Sequence, residues 1–221
     1  MDEMKIKAVC FDMDGVIVDT MPYHVEAWQH AFHAEGHTLH GHLFYEREGM
    51  PGMKTIGDID SLRSLSLTKS QMERIYHEKR KYFKQNARYE FISAAVSAAS
   101  FLKKAGISIA LATGSRREFV EEIIEQLPFS FDAIITGDDV TEGKPAPEPY
   151  LKISEKFTYK PDEWLVIENA PLGILSAKRA GMKVWAIETT LDREYLAEAD
   201  EILSPDKLMT AIERVIEEDR A

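Results

Sequence analysis

Hydrophobic and polar positions along the chain follow two regimes. A continuous apolar run, Ile6 to Phe11 with only Lys7 as an interruption, leads straight into Asp12-Met13-Asp14-Gly15. Such a run reads as a strand buried on both faces, which belongs in a parallel sheet. From Thr20 the spacing becomes helical: Pro22 suits a first-turn position, and Val25, Trp28 and Phe32 recur on one face up to Gly36. A polar stretch follows (His37, His40, Gly41, His42), then the turn signal Glu48-Gly49-Met50-Pro51-Gly52. Thr68 to Lys84 reads as a charged helix carrying Met72, Ile75, Tyr76 and Tyr82. Nothing between residues 21 and 88 has the pattern of a buried strand, so this region is predicted to be a helical insertion.

From residue 93 onward, strands and helices alternate. Ala94–Lys104 is helical and stops at Gly106; Ile107–Ala112 is a strand leading into Thr113-Gly114-Ser115. Arg116–Leu127 reads as a helix, Ala133–Thr136 as a short strand, and Gly143-Lys144-Pro145-Ala146-Pro147 as a rigid loop. The Lys144–Pro145 bond is a candidate for cis geometry. Trp164–Ile167 is a strand ending at Glu168-Asn169, Ala170–Ala180 a helix closed by Gly181, and Lys183–Ile187 a further strand. Residues 205–219 form an amphipathic, acidic tail. Alternation of this kind predicts an α/β fold, a parallel sheet with right-handed crossovers and helices on both faces. The expected layout is a core from residues 1–19 and 89–221, with a helical cap from residues 20–88.

Composition narrows the function. The 221 residues carry a formal net charge of −11, with 44% hydrophobic and 29% charged positions. That is ordinary for a globular protein with a sizeable core. It argues against nucleic acid or an anionic membrane as partner. An anionic substrate must then be attracted locally. One cysteine, Cys10, excludes an intramolecular disulfide and suits a reducing compartment. No apolar run approaches the ~18 residues of a membrane span, and Met1-Asp2-Glu3 is not a basic leader. The expectation is a cytoplasmic protein, monomeric or weakly dimeric.

Four predicted strand ends carry polar groups: Asp12/Asp14, Thr113/Ser115, Lys144 in its loop, and Glu168/Asn169. The carboxyl edge of a parallel sheet is where open α/β folds bind ligands. Two acids as close as Asp12 and Asp14 repel when both are ionised, so they need a cation or a shared proton.

With these residues in this order, Asp-x-Asp-Gly-x-x-x-Asp-Thr above all, the chain resembles the haloacid dehalogenase superfamily. The branch is that of β-phosphoglucomutases and phosphatases with a helical cap after the first strand. The resemblance implies a Rossmann-like doubly wound core, Mg²⁺ as cofactor, and a small phosphorylated substrate. It implies Asp12 as the nucleophile that forms an aspartyl-phosphate and Asp14 as general acid/base. Thr113, with Gly114 and Ser115 beside it, would hold the phosphoryl group, and Lys144 would offset charge on nucleophile and phosphate. Asp12, the Asp14 carbonyl, Glu168 and Asn169 would supply oxygen ligands to the metal. Asp19 reads as a capping or hinge residue, and Cys10 as inert core.

Two departures stand out. Asparagine at 169 replaces the commoner aspartate and removes a charge worth roughly 4 kcal/mol gross at 4 Å and an effective dielectric near 20. Glu48, next to the cap turn, is the candidate replacement; the plain alternative is an exposed loop acid. Secondly, Gly52 stands where sugar-phosphate mutases of this type carry an arginine, which argues against a mutase. His24 could reach Asp14 from the first cap helix, and Tyr76 and Lys79 share a helical face that could touch substrate. The expected activity is that of a Mg²⁺-dependent phosphohydrolase. Alternatives are an inorganic pyrophosphatase, which the pattern around Glu48, Tyr76, Lys79 and Asn169 most resembles, a hexose-phosphate mutase, and a non-catalytic phospholigand-binding module.

Overall fold

The computed structural model describes residues 6–218. Its centre is β1 (Ala8–Phe11), buried along its whole length. After it comes β2 (Val18–Asp19), followed by four helices: α1 (Met21–Ala34), α2 (His42–Tyr45), α3 (Gly52–Arg63) and α4 (Lys69–Asn86). The chain returns through β3 (Glu90–Phe91), then runs α5 (Ser93–Lys104), β4 (Ser108–Ala112), α6 (Arg117–Ile124), β5 (Ala133–Ile135) and α7 (Glu148–Ser154). It closes with β6 (Trp164–Glu168), α8 (Pro171–Arg179), β7 (Lys183–Ile187), β8 (Glu201–Leu203) and α9 (Leu208–Glu218). The amphipathic tail expected over 205–219 takes in a 3-10 turn at Pro205–Lys207 and α9; its final residue, and the first three residues of the chain, lie outside the described range.

All neighbours in the six-stranded sheet pair in parallel, in the order β5-β4-β1-β6-β7-β8. The chain crosses from β1 to β4 on one side and later to β6 on the other, so β1 sits at the topological switch point. Its two faces pack into separate apolar layers: Val9 and Phe11 with α5 and α9, Ala8 and Cys10 with α7 and α8. Pairing with β6 continues one residue past β1, since the Asp12 amide donates to the Ile167 carbonyl at 3.0 Å. The helical insertion has its own apolar cluster around Val25, Trp28, Phe32, Phe44, Ile56 and Ile75. Its longest helix, α4, begins with a capping box in which Thr68 and Gln71 satisfy each other's backbone amides.

Four elements escape the sequence pattern. β8 is only three residues long, β2 and β3 are two-residue strands, and α3 starts at Gly52, inside what reads as a turn.

Candidate active site

The turn after β1 aims two carboxylates into one cavity. Gly15 there has φ +79°, and an added Cβ would lie 2.2 Å from Asn169 Nδ2 and 3.1 Å from Glu48 Oε1, so only glycine fits. The amides of Val16, Ile17 and Val18 all donate to the Met13 carbonyl, which winds the chain tightly at Asp14. Asp12, Asp14, Thr113, Lys144, Glu168, Asn169 and Glu48 are all buried, although every one is polar. Burial of so many polar groups is tolerated only where each finds a partner.

The two aspartates find very different ones. Lys144 donates to Asp12 Oδ1 and to Glu168 Oε1, both at 2.5 Å, from the loop whose Lys144–Pro145 bond is cis. Burial opposes charge on Lys144, but Asp12 and Glu168 outweigh it and hold the ammonium above its ordinary pKa. Burial pushes the Asp12 carboxyl up, against the pull of Lys144. Asp14 instead accepts from Thr20 (2.5 Å) and His24 (3.2 Å) at Oδ1, and from Ser115 (2.7 Å) and Thr113 (3.3 Å) at Oδ2. Burial again works against ionisation, yet His24 and the hydroxyl donors prevail and hold Asp14 well below the usual carboxylate range.

His24 is itself held from behind. Lys79 Nζ lies 2.8 Å from its Nδ1, and an ammonium donating there makes Nδ1 the acceptor, leaving the Nε2 proton for Asp14. The ring stacks on Phe83 at 4.0 Å, and Lys79 lies over the faces of Trp28 and Phe83. Burial depresses the His24 pKa, helped by Lys79, and pushes Lys79 down to about 8.

Glu168 and Asn169 divide their work. Glu168 Oε1 accepts from Lys144 and, at 2.7 Å, from Tyr150; Oε2 accepts the backbone amides of Asn169 and Ala170. Expected among the metal ligands, Glu168 has both oxygens filled by protein donors. Asn169 gives its amide to Glu48 and Thr190, each at 2.9 Å, while its buried Oδ1 has no partner. Glu48 is thus buried in the cavity wall, not exposed on a loop, and its carboxyl is raised by burial and by Asp12.

An orphaned amide oxygen beside Glu48 and the Asp12–Asp14 turn is what a hard, oxygen-seeking cation would use. Among the described residues no three His, Cys, Asp or Glu side chains form a ready-made cation cage. The donors that fit are therefore mixed: carboxylate, amide and backbone oxygen.

Gly114, Ser115, Tyr76 and Lys79 line the same cavity, of about 520 Å³, as do Asp12, Asp14, His24 and Glu48. Thr20, Tyr150 and Thr190 also build the site. Thr20 follows Asp19 at the end of the motif and could have been suspected, since at the N-cap of α1 its hydroxyl makes no cap. Tyr150 and Thr190 carry no local signal; only the fold brings them in.

Residues 9–187 match the family model for haloacid dehalogenase-like hydrolases. The chain belongs to that family. It is 30% identical to the phosphorylated carbohydrates phosphatase of Thermotoga maritima over 96% of this chain and 100% of that one. Identity to hexitol phosphatase A of Escherichia coli is 30%, covering 90% and 91% of the two chains. Identity to the pyrophosphatase PpaX of Bacillus cereus is 29%, covering 87% and 88%. A solved structure from Bacteroides vulgatus, provisionally assigned as a beta-phosphoglucomutase, superposes with a TM-score of 0.88 at 32% identity, covering 99% of this chain and 91% of that one. This family member is a phosphatase-type hydrolase of phosphorylated small molecules. No helix among the described residues is long and apolar enough to cross a membrane.

Proposed function

We propose that the chain is a Mg²⁺-dependent phosphohydrolase working through an aspartyl-phosphate on Asp12, with residues 20–88 as its cap. The observation that carries this reading is the contrast between its two aspartates. Asp12 is clamped at Oδ1 by Lys144, and its Oδ2 receives no hydrogen bond among the described residues. That oxygen can attack phosphorus. The Asp12–phosphorus bond forms as the bond to the leaving oxygen breaks, and the leaving oxygen takes a proton from Asp14. Asp14 rests ionised, so it first takes that proton up; Lys79 to His24 Nδ1, and His24 Nε2 to Asp14, is the available path. In the second half, Asp14 removes a proton from water, which attacks phosphorus and releases Asp12. Thr113 and Ser115 orient Asp14 throughout.

Asp12, the Asp14 carbonyl, Asn169 Oδ1 and Glu48 would hold the metal, and Glu168 would anchor Lys144. Mg²⁺ in that position supplies positive charge against the phosphate oxygens. Pyrophosphate is the second substrate reading, favoured by Lys79 and His24, which place cationic and hydrogen-bonding groups on the leaving side of Asp14. Gly52 stands where mutases of this type carry an arginine, and the absence of that residue weighs against a mutase.

Phosphate release with Mg²⁺, measured on pyrophosphate and a panel of sugar phosphates, tests the proposal. Wild-type protein should turn over at least one of these, and Asp12→Asn none. Substantial release by Asp12→Asn would sink the covalent mechanism.

A further inference from the structure

We infer that Arg80 is the outer anion-recognition residue of the cavity, selecting substrates that carry a second oxyanion on the leaving part. The inference rests on the phosphohydrolase reading and specifies its substrate class. The cavity, at about 520 Å³, is far larger than a phosphoryl group needs, and beyond the aspartates it runs along α4 between aromatic walls. An acidic chain must gather its anionic ligands with local cations.

The cations that line this cavity are accounted for one by one. Lys144 is bound to Asp12 and Glu168, and Lys79 to His24. Arg47 pairs with Asp58, Lys84 with Glu118, and Arg116 with Asp138. Lys81 leans on Glu78. Among the described lysines and arginines of this lining, Arg80 alone has neither an ion pair nor a hydrogen bond, though its charge is felt by Glu118, which Lys84 already pairs. It is not loose, however. Its guanidinium lies 5.7 Å from the Tyr76 ring centroid, one helical turn earlier on α4. Tyr76 is fixed in turn against Gly52, where an added Cβ would stand 2.5 Å from its ring. Glycine at 52 thus seats the tyrosine, and the tyrosine shelves the guanidinium at the cavity wall. An arginine stacked in this way keeps all its N–H donors for a planar or tetrahedral oxyanion. Lys79, its neighbour in sequence, serves the reacting end, so α4 presents one cation to the chemistry and another to the tail of the substrate.

Matched pairs of substrates test this: 3-phosphoglycerate against glycerol 3-phosphate for a carboxylate tail, and fructose 1,6-bisphosphate against fructose 6-phosphate for a phosphate tail. Wild-type protein should favour the doubly anionic member of at least one pair, which also identifies the tail. Arg80→Ala should raise its KM about tenfold, with kcat nearly unchanged and the singly anionic partner unaffected; Arg80→Lys should recover part of the loss. Equal effects on both members of each pair, or none, overturn the inference while leaving the phosphohydrolase reading intact. Failure to cleave any of these, or p-nitrophenyl phosphate, would instead count against that reading. Calorimetric binding of 3-phosphoglycerate and of fructose 1,6-bisphosphate then decides on Arg80: about tenfold weaker binding of either by Arg80→Ala supports its role, and equal binding of both overturns it.

Discussion

Asn169 donates its side-chain amide to Glu48 across 2.9 Å, joining the end of β6 to the loop between α2 and α3. An aspartate at 169 could not do this. Its carboxylate would face that of Glu48 at hydrogen-bond distance, and a close like-charge pair is worth about 4 kcal/mol gross at an effective dielectric near 20. Asn169→Asp should therefore melt lower than wild type in chelator, yet bind Mg²⁺ at least about tenfold more tightly, because the cation relieves the repulsion. Melting curves with EDTA and across a Mg²⁺ titration report both effects. Equal melting in chelator would show that the pair does not matter to stability.

Among the described residues Lys144 is the only ammonium touching Asp12 and Glu168, and all three are buried. Lys144→Met preserves much of the volume but leaves two carboxylates uncompensated. Removing one partner from a buried ion pair costs about 3–5 kcal/mol, so the variant should lose that much stability in urea titrations near neutral pH. The deficit should shrink as the pH falls and the carboxyls take up protons. A loss below about 1 kcal/mol would mean that water reaches the site and screens these charges.

Lys79 gives a pH signature in which stability and activity move in opposite directions. Its folded-state pKa is about 8, below the ordinary lysine value, so between the two the unfolded chain binds more protons than the folded one. Stability from this group therefore rises as pH climbs through that window. Activity should fall through it, because a neutral Lys79 no longer passes a proton to His24. The kcat/KM profile should show an alkaline limb near pH 8 that Lys79→Arg moves upward. If the limb stays in place in Lys79→Arg, another group is responsible for it.

Ser115 acts on Asp14 alone within the catalytic pair. Without its 2.7 Å hydrogen bond the ionised form of Asp14, the base of the second half-reaction, is less favoured, so where dephosphorylation limits kcat Ser115→Ala should move the acid limb of the kcat profile up by about one pH unit. An acid limb identical to wild type would show that His24, Thr20 and Thr113 hold Asp14 without it.

Much of this was legible in the sequence, and for identifiable reasons. Continuous apolar runs mark the central strands because they are buried on both faces; β4, β6 and β7 appear within a residue of expectation, and β1 starts two residues later than its run. β8 is half-buried at the sheet edge and too short to leave a pattern. The start of α3 was hidden because Pro51-Gly52 signals a turn as readily as a helix entry. Within the site, the strand-end residues could be found because the topology gathers them at one edge. The burial of Glu48 could not, since a short glycine-flanked loop does not reveal which surface it meets. Tyr150 was equally hidden: a tyrosine in a helix gives no hint that its hydroxyl ends on Glu168.

β2 and β3 pair antiparallel, Val18 with Phe91 and Asp19 with Glu90. The chain thus departs for the four helices and comes back from them within one hydrogen-bonded step. To the six-stranded sheet the whole helical excursion is equivalent to a single hairpin loop, attached beside Asp14 and nowhere threaded between strands. Because the excursion leaves and returns beside Asp14, its helices bear on the register of β1 only through β2 and β3. Recognition is written mainly in the helical stretch, whereas the chemistry draws on both: Asp12 and Lys144 come from the sheet edge, and His24, Lys79 and Glu48 reach it from the excursion.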